Sequence, residues 1–298
     1  LALKNDYTVF LTGRNNKQNL FASKFTGCQV LPMDVANIEA VRDVFSEVKP
    51  EIVIHAAATK FVDLAEKQPM ECVDVNVTGS QNVARVSVEK AVKTVVGIST
   101  DKATPPVRNI YGMSKAIMER MFCSMNGKTD TMFTCVRYGN VAWSTGSVLP
   151  IWKKMHEETK KIGTTGPEMR RFFFTVDEAV KLVLTAINNI ELTKGKVLSR
   201  EMKSAQIGDI LKLWIEKKGG SWEKIEGRPG ERNDEYLVGD IELPYSTELV
   251  FDGIKHYLIS FNEKSQKPLP DIIYSANAPR LSNQEILNLI LNPPLEEL

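Results

Sequence analysis

Hydrophobic residues in the first half of the chain form short apolar runs that alternate with longer amphipathic stretches. The runs occupy residues 7–11, 29–33, 52–55, 94–98 and 133–137. Between them, apolar residues recur at helical spacing, as over residues 38–48, 69–91 and 111–125. Strands that alternate with helices predict an α/β fold, with a doubly wound parallel sheet and helices on both faces.

This alternation ends after about residue 150. Helical spacing continues over residues 175–189 and 205–218. Ser282, with Glu285 three positions later and an apolar run behind it, has the pattern of a capped amphipathic helix. We therefore expect a second, smaller unit after the sheet.

The composition argues against several classes of partner. Lysine and arginine (38) nearly balance aspartate and glutamate (37), so no overall field attracts nucleic acid or an anionic membrane. The four cysteines form no CxxC pair, and neither a metal site nor a disulfide framework is predicted. No apolar run approaches the roughly 18 to 20 residues that cross a bilayer. We expect a soluble, cytoplasmic protein with reduced thiols.

Chemically active side chains cluster after the fourth apolar run, at the strand end where a doubly wound sheet binds its ligand. Thr100, Asp101 and Lys102 follow this run, and Tyr111 and Lys115 lie at the start of a predicted helix. Their spacing puts Tyr111 and Lys115 on one helix face, where a neighbouring ammonium lowers the pKa of a phenol from its ordinary value of ~10. The cluster offers both an acid and a base, which suits elimination of water.

Several motifs carry a family resemblance. The run Ile98-Ser-Thr-Asp-Lys-Ala-x-x-Pro, followed by Tyr-Gly-x-Ser-Lys, resembles the active-site signature of inverting UDP-N-acetylglucosamine 4,6-dehydratases. Segments that start at His55, Arg137, Arg171 and Arg228 resemble further motifs of this family, in order. These enzymes form part of the polysaccharide-biosynthesis branch of the extended short-chain dehydrogenases/reductases.

The resemblance implies an architecture. A Rossmann-like NADP-binding domain would cover residues 1–150 and be completed by about residues 170–190. A smaller, mainly substrate-binding domain would cover residues 151–298. Members of the family commonly form dimers or hexamers, so a homo-oligomer is implied.

The resemblance also implies a reaction on UDP-N-acetylglucosamine. Tyr111 would deprotonate the sugar 4-hydroxyl while C4 loses hydride to NADP, and Lys115 would hold the nicotinamide ribose and tune Tyr111. Lys102 would remove the C5 proton, and Asp101, assisted by Thr100, would protonate the departing 6-hydroxyl. Hydride return to C6 and reprotonation of C5 from the opposite face would give a UDP-4-keto-6-deoxy-hexosamine for surface polysaccharide.

The cofactor would lie along the carboxyl ends of the first strands. Arg14 and Lys17 follow the first apolar run, where basic residues favour the 2′-phosphate of NADP over the free hydroxyl of NAD; a merely basic turn is the alternative. The remaining cofactor positions are assigned by resemblance. They are Asp34, Val35, Ala56, Ala57, Ala58, Asn76, Tyr111, Lys115 and Val141, with Asn76 expected to brace the loops.

The UDP-sugar needs cations for its diphosphate, and Arg171 and Arg228 are the candidates because guanidinium matches phosphate in two-pronged geometry. Other substrate positions rest on resemblance alone: Lys60, Asn140, Val148, Thr165 and Glu231. An ion pair with Arg228 is the alternative for Glu231, and a packed core histidine is the preferred interpretation of His55.

The chain departs from the family pattern at two places. Family members begin with a strand and a Gly-x-x-Gly-x-x-Gly turn that cradles the pyrophosphate, whereas this sequence opens at Leu1-Ala-Leu-Lys, so we expect a fragment that lacks the first strand. The loop between Lys102 and Tyr111 is also one residue longer than expected. Two other functions stay open: a UDP-sugar 4-epimerase, or a catalytically inactive nucleotide-sugar-binding fragment or subunit.

Overall fold

A computed structural model describes residues 2–227 and 230–293. The strands are β1 (Phe10–Gly13), β2 (Gln29–Pro32), β3 (Ile52–His55), β4 (Thr94–Ile98), β5 (Met132–Val136), β6 (Asn140–Val141), β7 (Lys161–Thr164), β8 (Arg170–Phe174), β9 (Val197–Arg200), β10 (Lys203–Gln206), β11 (Ser221–Lys224), β12 (Tyr236–Val238), β13 (Ser246–Phe251), β14 (Ile254–Ile259) and β15 (Ile273–Tyr274). The helices are α1 (Asn16–Thr26), α2 (Ile38–Val48), α3 (Val62–Lys67), α4 (Pro69–Val73), α5 (Gly79–Glu89), α6 (Ile110–Met125), α7 (Val148–Thr159), α8 (Val176–Asn188), α9 (Ile190–Thr193), α10 (Ile207–Lys218) and α11 (Asn283–Leu291).

The main sheet has six strands in the order β13-β14-β9-β5-β4-β3. Strands β3, β4, β5 and β9 run parallel, as the alternation of strands and helices predicts. The hairpin β13–β14 adds two antiparallel strands at one edge, so the sheet is mixed. Strands β9, β13 and β14 lie beyond residues 170–190, and the sheet therefore extends past the boundary expected from the sequence.

A separate parallel ladder joins β1 to β2. In the described part of the chain, β1 pairs with β2 alone and β3 pairs with β4 alone, so no ladder connects the two sheets. Strand β1 begins at Phe10, later than the predicted residue 7; residues 2–6 form turns and residues 7–9 lie outside the strand. Helix α1 on this ladder has no buried residue.

Hydrophobic packing divides into clusters on the two faces of the main sheet and a third cluster in the part of the chain that holds α7, β7, α10 and α11, called here the second unit. Neighbouring residues of β4 point to opposite faces, so Val95 packs with Phe133 while Val96 packs with Leu182. The third cluster contains Trp152 and Trp214 from α7 and α10, together with residues of α11. The predicted cap of α11 is present, because Ser282 and Glu285 bond each other's backbone N–H groups.

The predicted helix over residues 69–91 is present as α4 and α5, with a π-helical turn at Asp74–Thr78 between them. This turn carries the buried Asn76, and such turns are frequent at functional sites. Among residues 2–227 and 230–293, no helix has the length and apolar character required to cross a membrane.

Candidate active site

A cavity of about 520 Å³ lies where the carboxyl ends of β3, β4 and β5 face the second unit. The loop after β4 contributes Thr100 and Lys102, and α6 contributes Tyr111 and Lys115. The second unit contributes Thr165, on the loop after β7. The cavity therefore joins residues from both halves of the chain.

Asp101 and Lys102 form a direct ion pair at this cavity. Lys102 Nζ donates to Asp101 Oδ1 at 3.1 Å and to Asn140 Oδ1 at 3.4 Å. Thr100 also donates to Asp101 Oδ1, at 2.9 Å. Burial alone lowers the pKa of Lys102, but the carboxylates of Asp101 and Glu235 outweigh it and raise that pKa above its ordinary value. Lys102 is thus an ammonium in this arrangement, and a role as base requires its proton to move first.

Two side chains cap helix α6 and fix its first turn. Asn109 Oδ1 accepts from Gly112 N, and Glu66 Oε1 accepts from Ile110 N, both at 2.7 Å. Neither N–H group has a partner within the helix, so both caps stabilise this end. Tyr111 lies between the two capped residues and faces the cavity.

The pKa of Tyr111 differs from the expectation. Burial raises it to about 12, while Lys102 and a hydrogen bond with Thr100 lower it only in part. Lys102 is the cation that lowers the pKa of Tyr111 in this arrangement, and Lys115, one helical turn further on, donates to Met118 Sδ at 3.3 Å. The tuning of Tyr111 by Lys115 stays a prediction.

Lys115 is a buried ammonium with a weak acceptor, since its Nζ bonds a thioether rather than an oxygen. Burial lowers its pKa to about 8. A buried lysine in this setting gains strong hydrogen bonds when hydroxyl groups reach it, and these fit the ribose of a nicotinamide dinucleotide. The small side chains of Ala56 and Ala58 line the same cavity and leave room for close approach.

The remaining predicted cofactor residues lie near the ends of β1, β2 and β3 or on β6. Arg14 pairs with Glu71 on α4 at 2.8 Å, and Asp34 Oδ1 accepts from Ala36 N at 3.0 Å. Lys17 is exposed on α1, and Val35 is buried against Gly79. Ala57 follows β3 without lining the cavity, whereas Val141 on β6 lines it.

Asn76 clamps the loop that follows β3. Its Oδ1 accepts from Thr59 N at 2.7 Å, and its Nδ2 donates to Thr59 O at 3.1 Å and to Ser114 Oγ at 2.9 Å. A brace of this kind is what the sequence predicts for Asn76. His55 is likewise a core residue: its Nε2 bonds Ser80 Oγ at 2.9 Å, and burial lowers its pKa to about 3, so the ring is neutral.

The described substrate candidates all line the cavity. They are Lys60, Asn140, Val148, Thr165, Arg171 and Glu231. Thr165 Oγ1 donates to Glu231 Oε1 at 3.1 Å, and burial lowers the pKa of Lys60. Arg171 donates to the carbonyls of Arg170 and Asn233, which fix its guanidinium at the cavity wall. Arg228, and with it the alternative ion pair to Glu231, lies outside the described residues.

The sequence profile of the polysaccharide biosynthesis protein family matches residues 5–251. The chain belongs to this family. It is 34% identical over 270 residues to an inverting UDP-N-acetylglucosamine 4,6-dehydratase of Campylobacter jejuni, covering 84% of this chain and 77% of that one. It is 33% identical over 273 residues to a UDP-glucose 4-epimerase of Rickettsia bellii, covering 87% and 78%.

The solved structure of Pen from Bacillus thuringiensis is similar to this chain, with a TM-score of 0.87 at 28% identity over 99% of this chain and 92% of that one. The predicted Rossmann-like fold and the resemblance to inverting dehydratases are therefore confirmed. The chain is an enzyme of the nucleotide-sugar dehydratase and epimerase group.

Glu235 and Phe61 are among the residues of the site that sequence reasoning missed. Glu235 is buried beside Lys102, and Phe61 lies over Gly146 across the cavity. Neither stands next to the acid/base motif, since Glu235 precedes β12 and Phe61 precedes α3. Only the fold brings them to Lys102 and to the loop before α7.

Proposed function

We propose that the protein is a nucleotide-sugar dehydratase that converts UDP-N-acetylglucosamine to a UDP-4-keto-6-deoxy-hexosamine with inversion at C5, for surface polysaccharide. The observation that carries the proposal is the contact of 3.1 Å between the buried Asp101 and Lys102, which lines the same cavity as Tyr111. An epimerase needs a tyrosine base at C4 but no second acid/base pair, whereas removal of water across C5 and C6 needs both.

The first step is proton removal from the sugar 4-hydroxyl by Tyr111. Lys102 and Thr100 favour the phenolate against burial, and Lys115 holds the ribose of the cofactor. When bound, NADP would supply a reversible hydride acceptor for C4 and C6 of the sugar. Arg14 and Lys17 support NADP over NAD, because guanidinium and ammonium groups suit a 2′-phosphate.

Elimination then uses the Asp101–Lys102 pair. Transfer of one proton from Nζ to the carboxylate converts both groups at once, giving a neutral amine and a carboxylic acid. The amine takes the C5 proton, which the new 4-ketone has made acidic. The acid gives its proton to the 6-hydroxyl, which leaves as water. The pair thus ends as ammonium and carboxylate, and no proton is gained or lost beyond those of the substrate.

A 4-epimerase is the second candidate, and it is favoured by the similarity to the Rickettsia bellii protein of that name. A nucleotide-sugar-binding subunit without activity is a third. Action in the cytoplasm as a homo-oligomer is proposed with the dehydratase.

The test is incubation of the purified protein with UDP-N-acetylglucosamine and either NADP or NAD, with products identified by NMR. We expect a 4-keto-6-deoxy sugar, formed faster with NADP. Asp101→Asn keeps the side-chain shape but removes the acid, and should lower product formation by roughly 10²–10⁴-fold. Formation of the C4 epimer alone would identify an epimerase, and cofactor binding without any sugar product would identify an inactive subunit.

A further inference from the structure

Glu235 is a buried carboxylate beside the acid/base pair. Only 3% of the residue is exposed, and it lines the cavity. Its backbone is fixed from both sides by Ser275, which accepts from Glu235 N through Oγ and donates its own N–H to Glu235 O. The position of the carboxylate is therefore set by the fold.

The hydrogen bonding of this carboxylate is incomplete. Oε1 lies 3.5 Å from Lys102 Nζ and 3.9 Å from Arg171 Nε, and Oε2 lies 3.9 Å from Arg232 Nη1 without a hydrogen bond in the described structure. Glu119 and Glu242, which are equally buried, bond Arg137 at 2.6 to 2.9 Å. Because a buried charge without short hydrogen bonds is costly, stability does not account for Glu235.

Glu235 completes the surroundings of the Lys102 ammonium. An ammonium has three N–H donors, and three oxygens lie around Nζ: Asp101 Oδ1 at 3.1 Å, Asn140 Oδ1 at 3.4 Å and Glu235 Oε1 at 3.5 Å. These oxygens come from the loop after β4, from β6 and from the residue before β12. Together they hold Nζ at one point of the cavity.

We propose that Glu235 is a positioning residue that holds Lys102 and sets the pH at which Lys102 acts as the base toward C5 of the sugar; this inference rests on the proposed dehydration. The charged and titratable groups that face Lys102 are Asp101, Glu235, Arg171 and Tyr111. The two carboxylates stabilise the ammonium, while Arg171 and burial oppose it.

Exchange at C5 requires the neutral amine of Lys102 but no proton for the 6-hydroxyl, so its rate rises with pH as Nζ loses its proton to solvent rather than to Asp101. Glu235 raises the pKa of Lys102 and moves the rise to higher pH. Loss of its charge moves the rise to lower pH.

The experiment measures deuterium incorporation at C5 of UDP-N-acetylglucosamine in D₂O as a function of pH. In Glu235→Gln, we expect the midpoint of the rising limb to fall by about 1 unit or more. Oxidation at C4, followed as NADPH formation in a single turnover, should keep its wild-type pH dependence. Asp234→Asn is the matched control: it removes a carboxylate from the adjacent residue, which pairs with Arg170 instead, and its midpoint should equal that of the wild type.

Glu235→Asp keeps the charge but withdraws it by one methylene, so its midpoint should fall by less than that of Glu235→Gln. It also tests the inference if the glutamine variant does not fold. A midpoint that is unchanged or higher in the tested Glu235 variants would overturn the role of Glu235 while leaving the dehydratase intact. Absence of both exchange and product in the wild type at every pH would refute the proposed function itself, and this inference with it.

Discussion

At the scale of single residues, buried carboxylates in this protein serve two different purposes. Arg137 at the end of β5 is fully buried and bonds both oxygens of Glu119 and of Glu242, as well as Leu237 O. Since Glu119 lies on α6, this cluster ties the helix that carries Tyr111 and Lys115 to the segment around β12. It is saturated with hydrogen bonds, in contrast to Glu235, and its role is structural.

Arg137→Met should therefore lower the free energy of unfolding by about 3–5 kcal/mol, because two buried carboxylates lose their cation. Arg42→Met is the control: Arg42 also bonds two glutamates, Glu39 and Glu89, but at the surface, and its loss should cost under about 1 kcal/mol. Urea denaturation of both variants checks the difference. An equal loss of unfolding free energy in the two variants would contradict a structural role for burial in the Arg137 cluster.

At the scale of elements, helix α6 determines where the tyrosine hydroxyl lies. The helix begins at Ile110 after the cap residue Asn109, and Tyr111 stands in its first turn. First turns fray unless their N–H groups are bonded, and here Asn109 and Glu66 bond two of them. Precise placement of Tyr111 thus depends on caps rather than on the helix interior.

Asn109→Ala should cost about 1 kcal/mol of stability and lower kcat by roughly tenfold or more, because the first turn loses a cap and Tyr111 shifts. Ser282→Ala removes the equivalent cap from α11. It should cost a similar stability but leave kcat unchanged. Thermal unfolding and steady-state kinetics of the two variants test this prediction. An equal fall in kcat in both variants would argue against a local effect on Tyr111.

At the scale of the whole molecule, the two units meet across the cavity. Phe61, on the loop after β3, lies against Gly146, on the loop before α7. A Cβ at Gly146 would lie 2.0 Å from Phe61 Cε1, and Gly146 has a φ of +75°. A glycine is therefore needed at this contact both for its backbone and for its lack of a side chain.

Gly146→Ala should displace Phe61 and raise KM for the UDP-sugar by roughly tenfold, in addition to a loss of about 1–2 kcal/mol from the positive φ. Gly127→Ala separates the two effects, since Gly127 has a φ of +77° but nothing within 4 Å of an added Cβ. It should lose similar stability and keep the wild-type KM. A KM that is unchanged in Gly146→Ala would mean that this contact does not shape the substrate site.

Local pattern was sufficient for much of the protein. Periodicity predicted α2 to the residue and α6 to within one residue, and apolar runs predicted β3, β4 and β5, because these elements bury one face or both in the hydrophobic clusters of the main sheet. The predicted substrate residues that the structure describes do meet at one cavity. The carboxyl ends of parallel strands share an edge of the sheet, so residues far apart in sequence converge there.

Tertiary structure alone decided the electrostatics. Spacing paired Tyr111 with Lys115, but the folded chain places Lys102 as the cation that acts on Tyr111 and surrounds Lys102 with two carboxylates. Glu235 reaches this point from the residue before β12, and the hairpin β13–β14 joins the main sheet from the same half of the chain. A pKa depends on burial and on every charge nearby, and long-range packing sets both, whereas the sequence determines helix spacing and strand period through contacts between near neighbours.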